Sequence, residues 1–125
     1  MTTPPDPQAA GDLAGSGGAG EPAAPARDLG DIPAVEIVTR AAVMLMSGAA
    51  DKLGLGADSG AAARLDLDEA RRLIEALAGL LLAAEPTLGM HRQPLRDGLR
   101  SLQAAFREAS PFPDAPGEGP GERAR

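Results

Sequence analysis

Histidine is the side chain that ordinarily exchanges protons near neutrality, and the sequence holds one, His91. It follows Met90 in a short stretch between two helical patterns, with Glu85 and Asp97 near it only along the chain. A catalytic base needs a nucleophile to activate or a carboxylate to orient it. No second element is spaced to serve as either, so an exposed or capping turn histidine is expected. Asp66, Asp68 and Glu69 cluster at a helix start, where negative charge meets the positive end of the helix dipole and requires no acid–base role. A hard cation needs several converging oxygens, and the loop from Gly54 to Gly60 offers only Asp58 and Ser59. The glycine-rich runs Gly15-Ser16-Gly17-Gly18 and Gly54-Leu55-Gly56 lack the Lys-Ser/Thr pair and preceding strand of a phosphate loop. Ser47, Ser101 and Ser110 have no nucleophile elbow and no base. The expectation is a non-enzymatic protein with no catalytic residue, no cofactor and no metal.

Binding chemistry is concentrated elsewhere. Arg92, Arg96, Arg100, Gln103 and Arg107 recur along one side of a helical stretch, flanking Leu95, Leu99 and Phe106. Arg96 and Arg100 are like charges at i,i+4, which cost a few tenths of a kcal/mol unless something acidic answers them. Three answers are open: acids on the preceding helix such as Asp68 and Glu75, the acidic surface of a partner protein, or nucleic-acid phosphates. The rest of the chain lacks the broad basic patch and the aromatic platforms that nucleic-acid binding ordinarily uses. An ordinary solvated, ion-paired face remains the alternative to a binding strip.

The elements that position these residues follow from the periodicity. Val35, Val38, Ala42, Leu45, Ala49 and Leu53 repeat at helical steps, so a first helix runs from near Pro33 until Gly54 and Gly56 end it. Asp66 as N-cap with Glu69 three residues on opens a second helix, which carries Ala70, Leu73, Ile74, Leu77, Leu80, Leu81 and Ala84 and closes at Pro86. A third begins around Pro94, aligns Leu95, Leu99, Leu102, Phe106 and Ala109, and stops at Ser110-Pro111. No stretch sustains period-two alternation. The expected fold is all-α: a three-helix core at residues 32–110, with the first two helices as an antiparallel hairpin.

The chain has 125 residues at net charge −6, with no Cys, Trp or Tyr and two Phe. Disulfides and cysteine–metal sites are thereby excluded. Residues 1–31 hold eleven of the glycines and prolines and four of the six net negative charges, and residues 111–125 hold seven more glycines and prolines. With few large apolar side chains to offset backbone ordering, both stretches are expected to be disordered tails. The N-terminus has no basic and apolar signal-peptide regions, and no uncharged run reaches the ~20 residues of a bilayer span. A cytoplasmic location is therefore expected.

The first helix carries more apolar surface than one neighbour covers. Ile37, Ala41, Met44 and Gly48 form a second stripe beside the first, and Leu82 projects away from the main stripe of the second helix. Either the third helix covers that stripe in a monomer, or a second subunit does. A Leu/Ala core of ~80 residues is marginal alone, which favours a homodimer through the first helix. Beyond it, an unidentified protein partner at the arginine strip is the leading expectation.

Three stretches carry a resemblance: Asp31-Ile-Pro-Ala-Val-Glu-Ile-Val through Leu45-Met-Ser-Gly-Ala-Ala-Asp-Lys-Leu-Gly-Leu55, then Leu67-Asp-Glu-Ala-Arg-Arg-Leu-Ile-Glu-Ala-Leu-Ala-Gly-Leu80, then Pro94 to Ser110 with the tail Pro116-Gly-Glu-Gly-Pro-Gly-Glu122. Together they resemble the actinobacterial branch of the family called domain of unknown function 1844. The resemblance implies a small cytoplasmic protein with no assigned catalytic residues. It also implies a gene neighbouring those of an initiation factor and large-subunit ribosomal proteins. A translation-associated factor that contacts ribosomal RNA or an initiation factor through the third-helix arginines is thus the alternative to a self-associating interaction module.

Overall fold

The computed structural model describes residues 28–56, 60 and 64–123. Three α-helices, α1 (Ala34–Lys52), α2 (Leu67–Ala84) and α3 (Arg92–Ala109), pack together, and no strand occurs among the described residues. Residues 28–33 belong to a separate unit and form a single 3-10 turn at Leu29–Asp31. The expected tail at 1–27 and the loop residues Asp58 and Ser59 lie outside the described residues.

Each helix end has a local cause. Gly54 takes φ +74°, and two backbone bonds close around it: Leu55 N–H donates to the Ala50 carbonyl and Gly54 N–H to the Asp51 carbonyl, both at 3.0 Å. That is the Schellman pattern, which needs a left-handed residue past the last turn. The chain then returns to α2, where Asp66 N–H donates to the Lys52 carbonyl at 2.7 Å, and Arg64 Nε reaches both Asp51 carboxylate oxygens at 3.0 and 3.2 Å. Asp66 caps α2 by accepting from Glu69 N–H at 3.1 Å, satisfying one of the four orphan donors of the first turn. Two 3-10 turns, Glu85–Thr87 and Gly89–His91, lead into α3. The helix begins at Arg92, two residues before the expected start. Pro94 is tolerated there because first-turn N–H groups have no intrahelical partner.

The core is built mainly from small and branched side chains: Ala42 and Ala49 of α1 with Leu53 just past its end, Ala70, Ile74, Leu77 and Leu81 of α2, Leu88 between helices, and Leu95, Leu102 and Phe106 of α3. Small residues at a contact let neighbouring helices approach closely. At Gly48, an added Cβ would lie 3.3 Å from Leu73 Cδ1. At Gly98, the Met46 thioether methyl occupies the place a Cβ would take. Close approach replaces the aromatic bulk that the composition lacks.

The segment after α3 departs from the sequence expectation. Residues 111–123 do not form a tail without fixed structure; they fold back as a strap against α2 and α3. Two Pro-Gly pairs explain it. Glu118 N–H donates to the Ala115 carbonyl at 2.9 Å, and Glu122 N–H to the Gly119 carbonyl at 3.0 Å, with Gly117 at φ +81° and Gly121 at φ +76°. These are successive type II turns, with proline at the second position and glycine at the third. Pro120 is fully buried, and its carbonyl accepts from Gln103 Nε2 at 3.0 Å. Upstream, Asp114 anchors the strap through Arg71 at 2.7 Å, while its carbonyl accepts from Arg107 Nη1 at 2.9 Å. Proline-rich sequence has little backbone freedom to lose, so a few such anchors suffice where composition alone suggests disorder.

Candidate interaction surface

Seen from the structure, the arginines of α3 have different fates. Glu85, at the turn after α2, accepts from Arg96 Nη1 at 3.2 Å and lies 3.7 Å from Arg92 Nη1. The acid that answers these two arginines is therefore Glu85, not Asp68 or Glu75. Glu75 lies instead 3.9 Å from Arg71, and Asp68 is exposed. Arg107 and Gln103 hold the strap. Arg100 is exposed and has no hydrogen bond or ion pair among the described residues. The strip thus divides into two ion-paired residues, two strap anchors and one free cation.

Arg96, Arg100 and Gln103 form one wall of an open groove of about 530 Å³ between α2, α3 and the strap. Ala78, Leu81, Leu82 and Leu99 supply its apolar floor, and Gly117, Gly121 and Glu122 its far wall. Glu122 is turned inward, accepting from Gly119 N–H at 3.0 Å. Gly121 lies so close to α2 that a Cβ would stand 2.7 Å from Ala78 Cβ. Arg71, which lines a separate recess with Glu75 and Glu118, stacks over the Phe106 ring at 5.0 Å from its centroid, a favourable cation–π distance.

The expected self-association stripe does not hold together as one surface. Ile37 (41%), Met44 (76%) and Ala41 are exposed, so α3 does not cover them. Gly48, however, faces Leu73 within the α1–α2 contact, and Leu82 (47% exposed) lines the α2–α3 groove, whose walls contain no α1 residue. A helical wheel orders residues around one axis but does not say on which flank the next helix lies. Leu82 and Arg100 are thereby brought together, although the sequence assigned them to separate surfaces.

His91 is exposed in its 3-10 turn, Ser47 and Ser101 are exposed, and Ser110 Oγ donates to the Phe106 carbonyl at 2.6 Å. Thr39 Oγ1 is buried without a hydrogen-bond partner, so no base is bonded to it for activation. Among the described residues no three His, Cys, Asp or Glu side chains gather as a metal site, and no helix is long and apolar enough to cross a membrane.

Helix triplet, groove and strap define a small all-α protein whose distinctive chemistry lies on one open face. The chain belongs to the family described as Domain of unknown function (DUF1844), whose model matches residues 34–108. No curated protein and no solved structure matches it. The matched stretch takes in α1, α2 and all but the last residue of α3, and ends before the strap.

Proposed function

We propose that the protein is a non-enzymatic interaction module that docks a protein partner in the α2–α3 groove. The observation that carries this reading is Arg100: an unpaired cation on the rim of a groove floored by Leu82 and Leu99. Recognition sites combine an apolar floor with a few placed polar groups in this way. A partner that offers an apolar side chain beside a carboxylate satisfies both parts. The ribosomal RNA alternative draws less support. Arg92 and Arg96 already share Glu85, and Arg107 is held by the strap. With one free arginine, the salt slope of RNA binding would be near 0.7–0.9, typical of a single phosphate contact. The gene neighbourhood implied by the family resemblance leaves an initiation factor as a protein partner to test.

Affinity capture from native cells at low and high salt tests the docking reading. Wild type is compared with Leu82→Asp and Arg100→Glu, both at exposed positions, with circular dichroism to show that each variant is folded. Specific partners should be lost from both variants and retained by wild type at high salt. An unchanged set of captured proteins overturns the reading.

A further inference from the structure

Phe112 is 91% exposed, although Phe is the largest apolar residue type in the chain. It is not loosely held. Proline precedes and follows it, Ser110 Oγ bonds to the Phe106 carbonyl on one side, and Asp114 is fixed by Arg71 and Arg107 on the other. An aromatic projecting into solvent from an anchored backbone is the form of an interface anchor, because the cost of ordering the segment that carries it is already met before docking. Near it, Glu108 is exposed and, like Arg100, has no hydrogen bond or ion pair among the described residues.

These residues are spaced in a way that a second copy matches. Arg96, Arg100, Ala104 and Glu108 form an i,i+4 row across the exposed face of α3. Set against itself antiparallel, with a two-fold axis at Ala104, the row opposes each Arg100 to a Glu108 and the small Ala104 to itself. In this arrangement the chain leaves each α3 at Ser110, beside the Arg96 end of the other copy's helix, which puts Phe112 within reach of the mouth of the groove floored by Leu82 and Leu99. About 530 Å³ is ample for a phenyl ring. Arg96 over that ring would repeat a contact the fold already uses between Arg71 and Phe106. We infer that the partner docking in the groove is a second copy of this chain, which inserts Phe112 while Arg100 and Glu108 pair across an antiparallel α3–α3 interface. Apart from Ala104 on the axis, every contact occurs twice, as a two-fold interface requires. The inference rests on the docking reading of the groove and names its occupant. It moves self-association from the expected α1 face to α3.

Sedimentation of the full chain over about a hundredfold range of concentration decides the matter through mass action. Wild type should dimerise. Phe112→Ala removes an exposed side chain, so circular dichroism should be unchanged while the dissociation constant rises at least about 30-fold, as for an interface hot spot. Arg100→Glu and Glu108→Arg should each weaken the dimer, and the double variant should recover it. A monomeric wild type, a dimer indifferent to Phe112→Ala, or a double variant no tighter than the singles overturns the inference. So does a dimer lost only on Met44→Glu. If wild type is monomeric while Leu82→Asp still removes captured proteins, the groove docks a different protein and the docking reading survives. If both experiments are negative, both fall.

Discussion

Glycine shows at the residue scale how one substitution takes opposite signs in this fold. Gly121 combines φ +76° with a place where a Cβ would meet Ala78 Cβ at 2.7 Å. Gly121→Ala should therefore cost about 1–3 kcal/mol through backbone strain and displacement of the strap. Gly79 lies on the exposed face of α2 with nothing within 4 Å of an added Cβ. There, Gly79→Ala should stabilise by about 0.5–1 kcal/mol, by restricting the unfolded chain and improving helix propensity. Urea denaturation of the two variants beside wild type checks both signs. Arginines divide similarly. Arg71 bonds Asp114 at 2.7 Å and stacks on Phe106, so Arg71→Ala should cost about 1–2 kcal/mol. Arg92 meets Glu85 only at 3.7 Å on the surface, and Arg92→Ala should fall within about 0.5 kcal/mol of wild type. The same melts measure that difference.

Among the elements, the strap is the one whose removal is informative. Ending the chain after Ser110 exposes the surface beneath the buried Pro120 and cuts the Arg71–Asp114 and Gln103–Pro120 contacts. Helical circular dichroism should persist while stability falls by about 1–3 kcal/mol, and amide exchange should quicken near Ala78 and Gln103. A truncation with unchanged urea midpoint would mean the strap contributes nothing to the fold. The helices were readable because their signals are local: Asp66 with Glu69 marks the start of α2, and Gly54 closes α1. The strap is hidden at the level of composition, where glycine and proline read as disorder, although Ala115-Pro-Gly-Glu118 and Gly119-Pro-Gly-Glu122 spell two type II turns. The groove was half legible. Arg96 and Arg100 stood out by spacing, whereas Glu85 as their neighbour depends on how the turn after α2 brings it back beside α3. No pattern within one helix encodes that.

Taken whole, the molecule rests on a core of alanine, leucine and isoleucine with a single buried aromatic, Phe106. Such a core leaves little margin, so a small extra binding energy changes the population of folded chains measurably. If α3 pairs with a second copy, the urea midpoint should rise with protein concentration for wild type and stay fixed for Phe112→Ala. The hydrogen bond from Asp66 N–H to the Lys52 carbonyl has a practical consequence. It pinches the chain where α1 hands over to α2, so the two helix ends are tied together at the neck of the connection, with buried Leu53 and the Arg64–Asp51 pair beside it. Doubling the enclosed length adds only about 0.6 kcal/mol of closure entropy. An epitope or fluorophore spliced between Leu55 and Arg64 should leave the melting curve nearly unchanged, which makes that connection the natural port for a reporter that lines no part of the α2–α3 groove.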